Sequence, residues 1–140
     1  MTATQYKHVL IIDDNEVDNY ITQRVLKKAT FATNIDVCKT GQKALDFIKS
    51  RMHNLDQIPD MIFLDLNMPI VDGFIFLFAW NDFPVEVRQK CQIIVLSSML
   101  DVSVINKVTN NPYVKDFIPK PLSQSALKRL QRKHQLLKSA

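Results

Sequence analysis

Charged side chains directly follow three short apolar segments of the sequence. They are Asp13 and Asp14 after residues 9–12, Asp65 after residues 61–64, and Lys120 after residues 117–119. Short, continuously apolar segments are typical of strands that are buried on both faces of a parallel sheet. If these strands are parallel neighbours, three carboxylates and one ammonium converge beyond their carboxyl ends, where such sheets bind ligands. This set of charges suits a divalent cation beside a phosphorylated aspartate.

The rest of the sequence alternates between strand-like and helix-like segments. Apolar segments predict strands at residues 8–12, 34–38, 60–64, 92–96 and 114–118. Apolar periodicity and capping residues predict helices over residues 16–29, from Thr40 to about Met52, from Asp72-Gly73 to about Asp82, from Asp101 to about Thr109, and after Ser123. Five such βα units predict a parallel sheet with helices on both faces. The stretches 52–59 and 82–92 are interpreted as the loosest connections.

The third predicted helix is apolar on nearly all sides. Its aromatic residues are interpreted mainly as core: Phe74, Phe76, Phe78 and Trp80. A helix that packs on a sheet buries only one of its faces, so the apolar residues on its other faces need another explanation. An exposed patch that contacts a partner therefore stays open as the alternative.

The composition is that of one globular domain. The sequence has 140 residues, of which 46% are hydrophobic, and this is enough to build a buried core. It has no apolar segment long enough to span a bilayer and no signal-peptide pattern, so we expect a cytoplasmic protein without membrane insertion. Cys38 and Cys91 lack the spacing of a metal or redox motif, and we expect both to be buried, free thiols.

The net charge of +4 is unevenly distributed along the sequence. All 14 acidic residues precede position 117, and the basic residues that follow give the C-terminal segment a charge of +6. A solvated helix face whose cations complement the helix C-terminus is the simpler interpretation. Contact with nucleic acid or with an acidic partner is the alternative. No aromatic residues alternate with these charges, so we do not expect nucleic acid to be a partner.

The charged residues resemble those of a known family. Over nearly its whole length the sequence is similar to the receiver domain of two-component response regulators. The resemblance rests on Asp13-Asp14 after the first strand, Asp65 in the stretch Phe63-Leu64-Asp65-Leu66-Asn67-Met68-Pro69, Asp72-Gly73, Ser97 after the fourth strand, and Lys120-Pro121 after the fifth. It implies a flavodoxin-like, doubly wound (βα)5 fold whose five parallel strands lie in the order 2-1-3-4-5.

The resemblance also implies a role for each charged residue. Asp65 is the expected phosphoacceptor, since a carboxylate can attack phosphorus and form an acyl phosphate. Asp14 is expected to bind Mg²⁺ directly and Asp13 through water, with Asp65 and the backbone carbonyl of Asn67 as further ligands. Lys120 is expected to neutralise charge on the transferring phosphoryl group together with the metal.

Two further residues are expected to transmit the phosphorylation signal. Ser97 matches the family's hydroxyl residue and is expected to donate a hydrogen bond to the phosphoryl group. Phe117 occupies the family's aromatic switch position, although an ordinary core role stays open. The affected surface is expected around residues 101–108 and 122–130. The bond between Lys120 and Pro121 is often cis in this family, and the sequence permits that.

The resemblance further implies partners and boundaries. The expected phosphoryl donor is a sensor histidine kinase or a histidine phosphotransfer protein, and the downstream target is a protein of unknown identity. We expect one stand-alone receiver domain over residues 1–140, with a core at about 7–131, a basic helical extension at about 132–140 and no output domain. Such a protein is a signalling receiver that catalyses only its own phosphorylation and dephosphorylation. The segment 110–112, Asn-Asn-Pro, departs from the Gly-Ala pair of many relatives.

Three alternatives stay open at this point. A receiver-fold interaction module that is never phosphorylated is the first. The second is an aspartyl-phosphate phosphatase of the haloacid dehalogenase type, which places its nucleophile after the first strand as Asp-x-Asp. Here an Asp-Asp pair comes first and position 67 is Asn, which lacks a general acid. The third is nucleic acid binding through the basic segment, which salt would weaken.

Overall fold

The computed structural model describes residues 6–66, 72–98 and 101–139, with side chains to residue 133. The strands are β1 (Tyr6–Ile12), β2 (Ala32–Cys38), β3 (Met61–Asp65), β4 (Gln92–Ser97) and β5 (Val114–Pro119). The helices are α1 (Glu16–Lys28), α2 (Gly41–Lys49), α3 (Gly73–Trp80), α4 (Val85–Lys90), α5 (Val102–Thr109) and α6 (Gln124–Ser139). A short 3₁₀ helix, Leu55–Gln57, precedes β3.

The strands form one parallel sheet in the order β2-β1-β3-β4-β5. Side chains of β1 alternate between its faces: Leu10 and Ile12 belong to a core built with α2 and α3, whereas Val9 and Ile11 belong to a core built with α1 and α6. The sheet is therefore covered by helices on both faces, which explains why its strands are continuously apolar. The predicted fold class and strand order are confirmed.

The predicted helix starts are confirmed by their capping contacts. The side chains of the predicted capping residues accept backbone N–H groups at 2.8–3.2 Å: Thr40, Asp72, Asp101 and Ser123. Asn15 caps α1 in the same way, since its side chain accepts the N–H of Asp18 at 2.9 Å. These contacts satisfy N–H groups that have no partner within the first helical turn.

The prediction of a loose connection over residues 82–92 is wrong, because this stretch contains α4. The helix has only six residues and buries one of them fully, Val87, so its sequence carries too little periodicity to predict it. Hydrogen bonds of Arg88 hold this helix in place instead. The Arg88 guanidinium donates to the carbonyl of Phe83 at 2.9 Å and to the hydroxyl of Tyr113, just before β5, at 2.7 Å.

The aromatic residues of α3 divide between the core and the surface. Phe76 and Trp80 are fully buried and stack against each other, which confirms the core interpretation for these two. The same interpretation is wrong for Phe78, which is 79% exposed, beside the exposed Ile75. The two pairs occupy opposite sides of the helix, and only one of those sides faces the sheet.

The two cysteines lie on different strands of the sheet. Cys38 ends β2 and Cys91 directly precedes β4, and β1 and β3 separate these strands. Both side chains are buried and neither forms a disulfide. Burial raises the pKa of both thiols above the ordinary cysteine value, which keeps them protonated and unreactive. The prediction of buried, free thiols is confirmed.

Within the described ranges, every helix is too short or too polar to cross a membrane.

Gly73 allows the start of α3 to approach the end of β3. A Cβ atom at this position would lie 2.9 Å from the Cα of Leu66 and 3.0 Å from the carbonyl oxygen of Asp65. Both are backbone atoms, so a larger residue forces the helix away from the segment that carries Asp65. The glycine in the Asp72-Gly73 pair is therefore a packing requirement of this edge of the sheet.

We expect Gly73→Ala to lower the free energy of unfolding by about 1–3 kcal/mol, as overpacking of a closed contact does. The measurement is equilibrium unfolding in urea. Phe78→Ala is the matched control, because its exposed side chain lies on the same helix and its loss changes stability by less than about 0.5 kcal/mol. Equal stability of wild type and Gly73→Ala contradicts the proposed packing requirement.

Candidate functional site

The carboxyl ends of four strands place the predicted site residues at one edge of the sheet. In the strand register Ile12 pairs with Leu64, which precedes Asp65, and Ser97 pairs with Pro119, which precedes Lys120. The parallel strands thus end at nearly the same level. The predicted convergence of the acidic residues, the hydroxyl and the lysine at this edge follows from that register.

Three carboxylates lie at the centre of this edge. One oxygen each of Asp13, Asp14 and Asp65 can be chosen so that all three lie within 4.8 Å of one another. Asp13 and Asp65 are buried, whereas Asp14 is exposed. At such distances, two carboxylates repel by about 3–4 kcal/mol at an effective dielectric constant of 20. Compensating positive charge is therefore required here.

The Lys120 ammonium supplies part of that charge. Its Nζ lies 2.7 Å from Asp13 Oδ2, 2.9 Å from Asp18 Oδ2 and 3.4 Å from Asp65 Oδ1. The lysine side chain is 12% exposed, and those of Asp13 and Asp65 are 3% exposed. Lys120, directly after β5, thus contacts the residue that follows β1, the last residue of β3 and the first turn of α1.

Burial has the largest single effect on the pKa of Lys120 and acts to lower it. The hydrogen bonds to Asp13 and Asp18 and the charge of Asp65 outweigh burial, so the pKa lies above the ordinary lysine value. A raised pKa means that the folded state binds the proton more tightly than the unfolded state does. The resulting stabilisation is fully present below about pH 10.4, the unfolded pKa, and is lost as the pH rises through the folded pKa.

Asp18 is a residue of this edge that the sequence analysis did not identify. It lies in the first turn of α1, four residues after Asp14. Acidic residues in the first helical turn are common because they complement the helix dipole, so its type alone carried no signal. Asp14 precedes the Asn15 cap and lies outside the helix, so the spacing of the two residues carried no signal either. Together with the other three carboxylates and Lys120, Asp18 gives the edge a formal charge of −3.

The local contacts distinguish the two adjacent aspartates. Asp13 Oδ1 accepts the N–H of Asn15 at 2.9 Å, and its Oδ2 accepts Lys120. The side chain of Asn19 donates to the backbone carbonyl of Asp13 at 2.8 Å and fixes this turn. Both oxygens of Asp13 are thus engaged, whereas Asp14 faces solvent. This difference supports direct metal binding by Asp14 and binding through water by Asp13.

The donor set fits Mg²⁺. The ion prefers a few carboxylate oxygens completed by water, and the three clustered aspartates offer these beside an exposed side chain. A divalent cation also reduces the formal charge of the edge from −3 to −1. The fourth predicted ligand, the backbone carbonyl of Asn67, lies outside the described residues.

Ser97 and Phe117 lie near the end of β3, on the side of β4 and β5. Ser97 is fully buried at the end of β4, and its carbonyl accepts the N–H of Lys120 at 3.0 Å. Phe117 is half-buried in a small apolar cluster that includes Leu66 and Val108. That cluster joins the segment after Asp65 to β5 and α5. The peptide bond between Lys120 and Pro121 is cis.

We expect Lys120→Met to lower the free energy of unfolding at neutral pH by about 2–4 kcal/mol, because it leaves buried carboxylates uncompensated. Urea unfolding checks this, and saturating Mg²⁺ restores part of the loss because the cation replaces the missing charge. Lys39→Met is the matched control, since its ion pair with Glu16 at 3.0 Å is exposed and costs less than about 1 kcal/mol. Equal losses in the two variants contradict the role of Lys120.

Comparisons with known proteins agree with this geometry. The family model for the response regulator receiver domain matches residues 9–132. The probable methanogenesis regulatory protein FilR2 of Methanothrix harundinacea is 26% identical over 86% of this chain and 76% of its own length. The two-component response regulator ORR1 of Oryza sativa subsp. indica is 29% identical over 89% of this chain. The chain spans only 53% of that rice protein.

Solved structures show the same fold. The response regulator receiver protein of Dyadobacter fermentans has a TM-score of 0.80 and 30% identity, over 91% of this chain and 96% of its own. The two-component response regulator of Cytophaga hutchinsonii has a TM-score of 0.84 at 24% identity, with the same coverage of both chains. The family match over most of the chain, together with the acidic edge beside Lys120, establishes that this chain belongs to the response regulator receiver domain family.

Proposed function

We propose that this chain is the phosphoacceptor of a two-component phosphorelay and that Asp65 is the residue phosphorylated. The observation that carries the proposal is the position of Asp65: it is buried at the end of β3, within 4.8 Å of two other carboxylates and 3.4 Å from the ammonium of Lys120. A carboxylate in this position lies beside a cationic group that can neutralise a phosphoryl oxygen.

In the proposed reaction a carboxylate oxygen of Asp65 attacks phosphorus while the bond from phosphorus to the donor nitrogen breaks, which forms an acyl phosphate. The donor is a phosphohistidine of a histidine kinase or of a phosphotransfer protein. Asp14 and Asp65, Asp13 through water and the carbonyl of Asn67 would hold Mg²⁺, which would supply positive charge beside the transferring phosphoryl group. Lys120 neutralises further charge from the side of β5.

Ser97 is proposed to donate its hydroxyl proton to a phosphoryl oxygen on Asp65. The two residues end adjacent strands, and Asp65 pairs with Leu96, directly before Ser97. A phosphoryl group that extends beyond β3 therefore lies beside the end of β4. This hydrogen bond exists only when the phosphoryl group is present, so it gives the two states different free energies.

The proposed output is a change of the surface formed by α5, β5 and α6. The apolar cluster around Phe117 connects Leu66, next to the phosphorylated residue, with Val104 and Val108 of α5. A movement at the ends of β3 and β4 therefore reaches α5 through direct packing. The phosphorylated state is proposed to bind a downstream protein through this surface, and phosphorylation biases a two-state element.

We further propose that the chain acts as a signalling receiver rather than as an enzyme on other substrates, with a receiver core at about residues 7–131. Relatives in which the matching segment is a small part of a larger protein include the 3',5'-cyclic-nucleotide phosphodiesterase regA of Dictyostelium discoideum, of which it covers 14%. The two free, buried cysteines are compatible with the reducing cytoplasm, where we place the protein.

With Mg²⁺ and acetyl phosphate, we expect the intact mass of the protein to rise by one phosphoryl group. Asp65→Asn abolishes this increase because an amide oxygen is a much poorer nucleophile than a carboxylate. The matched control is Asp82→Asn, which removes an exposed carboxylate beyond the other end of α3 and leaves labelling unchanged. Full labelling of Asp65→Asn contradicts the assignment, and absence of labelling in wild type contradicts the proposed function.

We expect Ser97→Ala to leave Asp65 phosphorylatable while uncoupling it from α5, because the hydroxyl that bonds the phosphoryl group is missing. Hydrogen exchange with and without beryllofluoride, a stable mimic of the phosphoryl group, measures the coupling. Wild type changes protection over residues 101–108, and Ser97→Ala changes it much less. Ser103→Ala, at an exposed position of α5, is the control. Changes of equal size in Ser97→Ala and wild type exclude the proposed relay.

A further inference from the structure

We propose that Asp18 is a positioning residue that holds Lys120 in the unphosphorylated state and releases it when Asp65 carries a phosphoryl group. Asp18 thereby lowers the affinity of the site for that group. This proposal rests on the proposed function and adds to it a residue that sets the balance between the two states.

The contacts of Lys120 are the first step. An ammonium group has three N–H donors, and the two short contacts go to Asp13 at 2.7 Å and to Asp18 at 2.9 Å. The distance to Asp65, at 3.4 Å, is longer than either. The two hydrogen bonds of Lys120 therefore go to the β1 and α1 side of the edge, and its ion pair with Asp65 is the longer contact.

The position of Asp18 outside the metal cluster is the second step. Asp13 belongs to the group of three carboxylates that can share a cation, and a bound cation draws its charge away from Lys120. Asp18 is not part of that group. It is the carboxylate that keeps its full attraction for Lys120 after the metal has bound, and it competes with a phosphoryl oxygen for the same ammonium.

Asp18 disfavours the phosphorylated state in two ways. Its hydrogen bond to Lys120 stabilises the unphosphorylated state, because the lysine must turn toward the new phosphoryl oxygens. Its negative charge, which lies against the same ammonium as Asp65, also repels the added phosphoryl charge. Removing that charge should therefore favour the phosphorylated state on both grounds.

The local structure makes Asp18→Asn a conservative test. The backbone N–H of Asp18 is bonded to the capping side chain of Asn15, and its side chain is 36% exposed. The helix start therefore does not depend on the carboxylate. Because the pair of Asp18 with Lys120 is partly exposed, its contribution is that of a partly screened ion pair.

The experiment measures beryllofluoride affinity at saturating Mg²⁺ in three proteins. We expect Asp18→Asn to bind beryllofluoride about three- to fivefold more tightly than wild type, the range expected for such an ion pair. Glu16→Gln is the control, because it removes the same charge from the same helical turn, where Glu16 pairs with Lys39 instead. Its affinity stays at the wild-type value.

A spectroscopic readout separates release of Lys120 from a general charge effect. The ammonium resonance of Lys120 in ¹H–¹⁵N NMR should differ between unloaded wild type and Asp18→Asn, and should not change in Glu16→Gln. After beryllofluoride binds, the resonances of wild type and Asp18→Asn should converge, since the contact to Asp18 has been lost in both.

The outcomes distinguish failure of this proposal from failure of the proposed function. If wild type binds no beryllofluoride in Mg²⁺, the proposed function is wrong and this proposal falls with it. If wild type binds it and Asp18→Asn binds equally or more weakly, the function stands and the role of Asp18 is wrong. A Lys120 resonance difference that persists at full size after loading also overturns it, because the lysine has then not been released.

Discussion

The contact of one buried ammonium with carboxylates from three elements is the constraint on which this structure depends. Lys120 follows β5. Its partners are Asp13 after β1, Asp65 at the end of β3 and Asp18 in α1. Two nearly buried carboxylates without compensation are unfavourable by several kcal/mol, more than most single interactions in a domain contribute. The lysine therefore stabilises this edge of the sheet, and its contact with Asp13 joins residues 107 positions apart in the sequence.

The parallel sheet makes that convergence possible. Its strands end at one level, so each residue directly after a strand enters the same small space. Gly73 adds a second requirement, because the start of α3 approaches the backbone of Asp65 and Leu66 too closely for a Cβ atom. The positions of the acidic residues therefore follow from backbone packing. The excess of carboxylates over positive charges at this edge is what suits it to bind a cation.

The sequence predicted the parts of the site that depend on strand ends and left out those that depend on helix rotation. Asp13, Asp65 and Lys120 could be placed because a charge at the end of an apolar segment has one possible location in a parallel sheet. Asp18 could not, because the same residue type in a first helical turn is common on solvated faces. Whether Phe78 or Phe76 faces the core likewise depends on the orientation of α3 about its own axis. The sequence of a helix that is apolar on all sides does not specify that orientation. In the short helix α4, Arg88 bonds the nearby carbonyl of Phe83 and the distant hydroxyl of Tyr113, and no local pattern predicts the second contact.

In the proposed function, the unphosphorylated and phosphorylated states require different contacts of the same ammonium group. In the state described here Lys120 stabilises the fold through Asp13 and Asp18, and its raised pKa reflects the strength of those contacts. Every contact that the lysine gives up for a phosphoryl oxygen reduces the net gain from phosphorylation, because only the difference between the states shifts the equilibrium. A divalent cation at the carboxylate cluster would change this balance, since it would compensate the charge of Asp13 and free part of the lysine's charge. In the proposed function, a receiver with fewer carboxylates around its lysine should therefore be easier to phosphorylate. The contact of Asp18 with Lys120 is proposed to shift the balance of this chain toward the unphosphorylated state.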